Sequence, residues 1–552
     1  VWALFVAMRL LAVPLLAPGG YVTGQGPDHL YHLDFVRLSL AGYYPYLNFW
    51  MEYPPLFPWL ATGAYRLGLG LPPWDNPLLG FNTILHWTMT LFEAGNLGLL
   101  YAIALRLRDQ REAESIAVAY ALLFVPLIVF LGWFDALALF FLLLSVWGMV
   151  NRWPIPAGLG VGLGLLAKPF AVVPAPAALQ AFRRWPRWAI FAGVMLLAVG
   201  VVLIPLALLS PDYTLATARA LGGNAPWETV WALLDGVVDF GRVAPLAARV
   251  DPASAGSAFE SWLPWPIITL AFGGLGLWLW TRPINWSDPR RSVAFVGLTL
   301  GLMLLYSKGY SPQWALYQVA LALLILPVGR GVAYGLLFGF LLAAEWPLAY
   351  FVLVNAPEFA VAVIALRTLL TLALTVDFAG EVFPQAPALQ RARRYSLTVA
   401  AEIILVAGLI LTPAALRAYR RVRLEVEPLR PFVEQVEANA GQAQLIVSPQ
   451  PELIERVWPF VRRSADARLF PNVEGEQWTS VDSWMESTAH YDQIWLAYTP
   501  DDPKTGDLGH RLAAWLDAQR CLTSLDAYDG IEVRGYAPTP PSGECPPAPE
   551  RP

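Results

Sequence analysis

Gly26-Pro27-Asp28-His29-Leu30-Tyr31-His32-Leu33-Asp34 and Met51-Glu52-Tyr53-Pro54-Pro55-Leu56 lie in one loop directly after the first apolar run of the chain. Acids, aromatics and prolines gathered beside a hydrophobic span point to a built site rather than a linker. The Pro-Pro step also removes two backbone donors and fixes the chain direction. The fold is decided by what surrounds this loop and by which side of a membrane it faces.

The surroundings are those of a membrane protein. Of 552 residues, 57% are hydrophobic and 14% are charged, against about 25% charged in soluble domains. The deficit covers roughly residues 1–415, and charge is ordinary after them, so a membrane domain precedes a water-soluble one. A net charge of -5 offers no basic surface for nucleic acid. The 24 Trp and 21 Tyr suit a chain with many membrane–water interfaces.

Apolar runs at about 1–17, 78–105, 114–131, 134–150, 155–168, 169–182, 189–209, 264–281, 292–306, 313–328, 331–350, 359–378 and 396–413 predict about thirteen spans. The fifth and sixth are short and meet at Lys168-Pro169, which predicts a helical hairpin or two half-helices. Arginine sets the orientation. Arg106, Arg108, Arg111, Arg152, Arg183, Arg184, Arg187, Arg282, Arg290, Arg291, Arg330, Arg391, Arg393 and Arg394 all fall in short loops of one parity, which marks that side as cytoplasmic. An odd number of spans then puts the N-terminus inside and the C-terminal domain outside. The outer side carries the long loops 18–77 and 210–263 and most of the acids, with Lys168 and Lys308 as the basic residues of its short loops. Residues 28–41, 56–69 and 226–234 read as amphipathic helices lying at that surface.

The tail, 421–537, reads as a small α/β domain. Strands are expected at Ala443–Val447, Gln493–Tyr498 and Ile531–Tyr536, and a helix over Leu508–Arg520. Residues 538–552 form a Pro-rich end. The two cysteines, Cys521 and Cys545, are both in this tail. Outside the cytoplasm they would be able to pair, although two unpaired thiols fit the sequence as well.

Five features, in this order and on one side, resemble the GT-C class of membrane glycosyltransferases that use polyprenyl-phosphate sugars, in particular its mannosyltransferase-like members. They are the first loop with Asp28, Tyr31, Gly42-Tyr43-Tyr44-Pro45-Tyr46 and Glu52-Tyr53-Pro54-Pro55-Leu56; the turn Gly132-Trp133-Phe134-Asp135; and the Gly-rich run Gly158 to Pro169. Trp227-Glu228-Thr229-Val230-Trp231 and Tyr306-Ser307-Lys308-Gly309-Tyr310-Ser311-Pro312-Gln313-Trp314 complete the set. The resemblance covers about residues 1–350. It implies a polytopic α-helical fold of GT-C type with an extracytoplasmic C-terminal α/β domain, in a bacterial plasma membrane. It also implies an inverting transfer from a lipid-phosphate-linked sugar, with a carboxylate of the first outer loop as base. No cofactor is required, though the carboxylates leave room for a divalent cation. The implied partners are a polyprenyl-phosphate-linked sugar, a glycan, lipid or protein acceptor, and membrane lipids.

Such chemistry needs a base for the acceptor hydroxyl, cations for the departing phosphate and an apolar groove for the lipid. Asp28 is the first choice for the base, with Asp34 as the second. Asp28 also suits a plain helix N-cap. His29 and His32 read as solvated or interfacial. Glu52 and Tyr53 are placed in the acceptor pocket, where Pro54-Pro55 alternatively makes only a turn. Asp135 either lines the site or caps its helix. Lys168 and Lys308 are the expected phosphate ligands, with Arg242 a weaker one; snorkelling explains the lysines equally. Gln313 and Trp314 are expected to contact the sugar. Glu93 and Arg367 fall inside spans, and are expected either to pair with each other or, for Arg367, to touch the lipid phosphate. No Walker sequence or other phosphate-cradling glycine motif is present. The competing classes are a secondary transporter, against which the lack of an internal repeat counts, and a non-catalytic scaffold.

Overall fold

The structure, a computed structural model, describes residues 2–16, 27–70, 79–223, 225–238, 246–255, 261–353, 356–439, 442–450, parts of 453–469, 491–503, 505–528, 530–540, 542 and 544–547. The chain divides into two compact units, Val1–Tyr350 with Pro357–Leu411, and Phe351–Ala356 with Thr412–Pro552.

The first unit is helical. Each predicted apolar run falls on a helix, but the count of about thirteen spans is corrected by length. Five helices are long and apolar enough to cross a membrane: Gly80–Leu107, Trp185–Leu209, Val328–Tyr350, Pro357–Val382 and Pro387–Ala418. Gln110–Leu122 and Phe124–Gly132 make a sixth if taken together, bent by 48°. The bend follows from Pro126, which has no N–H and whose ring clashes with the carbonyl four residues back. The other apolar helices are shorter, Asp135–Val150 and Pro154–Leu165 among them. A chain with this many such helices is a multi-pass integral membrane protein.

The helices that position the site are α1 (Trp2–Leu16), α2 (Pro27–Arg37), α3 (Leu56–Gly68), α4 (Leu79–Leu107), α5 (Gln110–Leu122), α6 (Phe124–Gly132), α7 (Asp135–Val150) and α8 (Pro154–Leu165). Further along come α9 (Ala175–Ala181), α10 (Trp185–Leu209), α11 (Pro211–Gly223), α12 (Val230–Leu234), α13 (Trp265–Trp280) and α14 (Pro289–Tyr306). They are followed by α15 (Ala315–Ile325), α16 (Val328–Ala343) and α17 (Pro357–Val382). Two of the expected amphipathic helices form, as α2 and α3. The third is corrected: only Val230–Leu234 is helical, because Glu228 sits at φ +50° and Thr229 starts the helix as its cap.

Glycine explains the short α7–α8 hairpin. A Cβ at Gly160 would lie 2.5 Å from the Ser145 nitrogen on α7, and one at Gly162 would lie 2.8 Å from the Met195 carbonyl on α10. Alternate glycines thus let α8 approach a neighbour on each side. On the arginine-rich side, Arg108 donates to the carbonyls of Leu324 and Leu326, and Arg290 to that of Ile325. These bonds satisfy the open C-terminal end of α15. Arg330 grips Asp377 with two nitrogens, at 2.5 and 2.8 Å.

The second unit carries a five-stranded sheet in the order β2-β1-β3-β5-β4. The strands are β1 (Gln444–Ser448), β2 (Asp466–Leu469), β3 (Gln493–Tyr498), β4 (Arg520–Tyr528) and β5 (Ile531–Pro538). The pairs β1–β2 and β1–β3 are parallel, and β3–β5 and β4–β5 are antiparallel. β2 and β4 were not anticipated. β4 is missed because its outward positions are polar and it follows directly on the helix Gly506–Gln519. Cys521 and Cys545 form a disulfide.

Close packing at Gly160 predicts that Gly160→Val destabilises the membrane unit by about 2 kcal/mol or more, the usual range for overpacking. A thermal-unfolding midpoint in detergent checks this, and an unchanged midpoint contradicts it.

Candidate functional site

The first long loop is shaped by its backbone. Tyr46 takes a left-handed conformation, φ +66°. Its N–H donates to the Phe49 carbonyl at 2.8 Å, and its hydroxyl donates to the Tyr53 carbonyl. The resulting turn carries Trp50, Met51 and Glu52 back toward α2. There Glu52 Oε2 accepts from the Tyr31 hydroxyl at 2.8 Å and from Arg249. Arg249 belongs to the second long loop, on a 3-10 turn at Leu246–Val250, and its side chain is buried. Its guanidinium packs over the rings of Tyr31 and Trp50, 5.0 and 4.9 Å from their centroids. Backbone and side-chain bonds complete the seam. Trp50 N–H donates to the Arg249 carbonyl at 3.2 Å, Trp50 Nε1 to Ser254 Oγ at 2.9 Å, and Met51 N–H to Thr217 Oγ1 at 3.4 Å. Burial, and then the Glu52 carboxylate, push the Tyr31 hydroxyl far above its ordinary pKa, so Tyr31 stays a donor.

Beneath this seam lies an aromatic layer. Phe57 of α3 stacks on Phe134 with centroids 3.7 Å apart, and Tyr53 meets the same ring edge-on at 5.2 Å. His32 is enclosed by Tyr31, Phe35, Tyr53, Phe57 and Phe134. Burial, helped by His86 and Lys168, pushes the His32 imidazole down to about 3, so it is neutral at ordinary pH.

Next comes a buried ion pair. Pro169 keeps Lys168 out of a helical conformation (φ -155°, ψ 145°) and so ends the hairpin's first arm there. Lys168 Nζ donates to Asp135 Oδ1 at 2.8 Å, and the Tyr317 hydroxyl of α15 donates to the same oxygen at 2.7 Å. The ammonium also lies 4.5 Å from the Phe134 centroid and 5.7 Å from that of Trp314. Among the described residues, Asp135 Oδ2, Trp314 Nε1 and His32 Nε2 are buried without a hydrogen-bond partner.

Lys308 has a different setting. It follows α14 in the turn 307–311, half-buried. Its Nζ donates to the Gly222 carbonyl at 3.1 Å and lies 5.0 Å from the Trp265 centroid. Burial pulls this ammonium below its ordinary pKa. Beside it opens an apolar groove between α13 and α14, with α9 at its other end and a volume of about 510 Å³. Phe272, Gly276, Leu298 and Leu302 line it, and at the Lys308 end Tyr306 and Thr269 share a 2.9 Å hydroxyl–hydroxyl bond.

These positions correct several expectations. The side chains of Asp28 and Arg242 lie outside the described residues. Asp34 is exposed on α2. Glu52 and Tyr53 belong to the seam. Asp135 and Lys168 are both in the core, but Lys168 is not a free phosphate ligand, because its ammonium is held by Asp135. Gln313 and Trp314 are buried, with Trp314 against Phe170 at 4.2 Å. His32 is buried rather than solvated. Glu93 and Arg367 do not pair: Glu93 accepts from Tyr120 at 3.0 Å, and Arg367 pairs with Glu345 at 3.0 Å. Arg249 and Tyr317 were missed. Arg249 offered no local signal that separates it from Arg219 and Arg242 of the same loop. Among the described residues no three His, Cys, Asp or Glu side chains converge as a metal site.

No family model and no curated protein matches the chain. Among solved structures it aligns with ArnT from Cupriavidus metallidurans bound to undecaprenyl phosphate, at 14% identity and TM-score 0.44, over 97% of each chain. It also aligns with the oligosaccharyltransferase AglB from Archaeoglobus fulgidus, in complex with an inhibitory peptide and a dolichol-phosphate. There the identity is 13% and the TM-score 0.32, over 97% of this chain and 74% of that one. Likeness at this level assigns no residue a role.

Two outcomes are expected from these geometries. Lys168→Met strands the Asp135 carboxylate in the core and costs about 3–5 kcal/mol; adding Asp135→Asn recovers most of the thermal stability. For His32, the folded pKa lies below the unfolded one, so the unfolded chain binds the extra proton. Stability is therefore full above pH 6.5 and falls by up to about 1.4 kcal/mol per pH unit as the pH drops toward 3. Unfolding midpoints of His32→Phe, compared with the native chain over that range, should show a shallower acid slope. Parallel profiles would contradict it.

Proposed function

We propose that this chain is a membrane glycosyltransferase that moves a sugar from a polyprenyl-phosphate donor to an acceptor hydroxyl in one inverting step. The observation that carries the proposal is the α13–α14 groove, which ends at Tyr306, two residues before Lys308. An isoprenoid phosphate has a long apolar tail and a compact anionic head. The groove offers an apolar wall, two hydroxyls at one end, and an ammonium two residues further on whose described partner is a neutral carbonyl. In this reading the arginine-rich loops face the cytoplasm and the groove mouth faces outward, as the charge bias of the short loops supports.

In the proposed reaction the acceptor oxygen attacks the anomeric carbon as the bond from that carbon to the phosphate oxygen breaks. The electron pair leaves with the polyprenyl phosphate, whose charge Lys308 balances. The acceptor proton passes to Asp28. Asp28 stands three positions before Tyr31 on α2, a spacing that puts two residues on one helix face. Tyr31 is pinned by Glu52 and Arg249, so the helix that carries the base is anchored one turn away. The soluble α/β unit is left for acceptor or partner recognition.

The test uses purified full-length protein, a radiolabelled polyprenyl-phosphate hexose, and a membrane-lipid and envelope-glycan extract as acceptor source. Asp28→Asn should lower transfer by about a hundredfold or more while donor binding persists. Lys308→Met should weaken donor binding by about tenfold. Transfer that is indifferent to Asp28 sinks the assignment of the base. Failure of the native chain to bind any isoprenoid phosphate sinks the enzyme class, and solute flux dependent on Glu93 or Arg367 would identify a transporter instead.

A further inference from the structure

Lys308 is fixed by its backbone. Its carbonyl accepts from Trp227 N–H at 2.9 Å and from Thr229 Oγ1 at 3.4 Å. Gly309 pairs with Trp227, and a Cβ there would lie 2.2 Å from the indole, so only glycine admits the contact. Trp231 Nε1 adds a bond to the Leu305 carbonyl at 2.9 Å. The turn that presents Lys308 is therefore stapled to residues 227–231 of the second long loop.

The staple contains a strained residue. Glu228, between the two residues that grip the Lys308 carbonyl, has φ +50° and is buried. A residue with a Cβ adopts that conformation only where its surroundings hold it. One holding group is Arg367 of α17, whose Nη2 donates to the Glu228 carbonyl at 2.5 Å. Arg367 is itself fixed by Glu345 at 3.0 Å and lies 4.1 Å from the Tyr310 centroid. Glu345 ends the helical run of α16, where Pro347 drives Trp346 to an extended conformation, and Trp346 Nε1 donates to Glu228 Oε1 at 3.4 Å.

We propose that Arg367, oriented by Glu345, is a positioning residue for Lys308. It holds Glu228 in the left-handed conformation that lets Trp227 and Thr229 grip the Lys308 carbonyl together. Without the Arg367 bond, Glu228 relaxes toward negative φ. Rotation at that point moves Trp227 relative to Thr229, so the two cannot both reach Lys308, and the ammonium leaves its place at the groove mouth. Arg367 touches neither the groove nor Lys308 Nζ, and it acts on donor binding through the backbone alone. This inference rests on the donor role proposed above for Lys308.

The test measures binding of undecaprenyl phosphate to the full-length protein in detergent, together with thermal midpoints. Arg367→Met combined with Glu345→Gln removes the buried pair without stranding a charge. It should weaken binding by up to about tenfold, the loss expected of Lys308→Met itself. In a Lys308→Met background the same pair of changes should have no further effect, because the two act through one contact. A second arm leaves the buried pair intact: Glu228→Gly, which accepts positive φ freely, should bind as the native chain does, whereas Glu228→Val should lose affinity. Native-like binding by the Arg367 pair variant, or an effect that multiplies with that of Lys308→Met, overturns the inference. So does equal binding by the Gly and Val variants. If the native chain itself binds no undecaprenyl phosphate, the donor role fails first and the inference falls with it.

Discussion

A buried guanidinium between a carboxylate and a phenol holds the two long loops of this protein together. Arg249 and Glu52 are 197 residues apart in sequence. A cation taken from water is tolerated in a core only when it is paired and hydrogen-bonded, and Arg249 meets Glu52, Tyr31 and two aromatic faces. The loops therefore have one register, in which Trp50 lies on Arg249 and Met51 on Thr217. That register places Tyr53 and Phe57 over Phe134, and Phe134 over Lys168. Removing the pair would leave only the bonds of Trp50 and Met51 to join the two loops.

The charged residues of this side sort by partner. Glu52 with Arg249, Asp135 with Lys168, and Glu345 with Arg367 are acid–base pairs with little or no exposure. Pairs of this kind contribute little net stability, since desolvation consumes most of the attraction, but breaking one is costly. They act as specific joints between segments that hydrophobic contact alone would leave free to slide. Lys308 is different. Its hydrogen bond runs to a neutral carbonyl, and its burial is partial. A cation so placed keeps most of its attraction for an incoming anion, which is why the proposed donor role falls to Lys308 rather than to the deeper Lys168.

How far the sequence was legible follows from what a one-dimensional pattern encodes. Hydropathy located the apolar helices among the described residues, continuous apolar runs located β1 and β3, and alternation located β5. Depth in the membrane is readable in this way, but azimuth about each helix axis is not. Glu93 and Arg367 were both recognised as deep charges, yet they face different neighbours, Tyr120 for one and Glu345 for the other. His32 was misjudged for the same reason, because its enclosure comes from Phe57 and Phe134, far along the chain. Lys168 was correctly set apart, but its partner Asp135 was read independently. Arg249 was passed over for Arg242, seven residues away, since nothing local tells which arginine of a loop turns inward.

Glycine serves opposite ends in two parts of the membrane unit. At Gly160 and Gly162 a side chain would strike backbone, so glycine there brings helices together. At Gly273, Gly274 and Gly276 of α13 a Cβ would meet nothing within 4 Å. Close packing cannot be the reason for these, because α13 has no buried residue at all. Gly273 and Gly276 instead widen the groove against α14. An apolar helix that buries so little of itself is stable in a bilayer, where lipid covers what protein does not. The same looseness opens the groove sideways to the hydrocarbon. Under the proposed donor role, a long isoprenoid chain would enter from the membrane without crossing water, its head drawn to Lys308 while its tail stays in lipid-like surroundings. Filling those glycine positions with leucine would close the groove while leaving the Arg249 seam untouched, so access of the lipid and assembly of the polar site are physically separable in this fold.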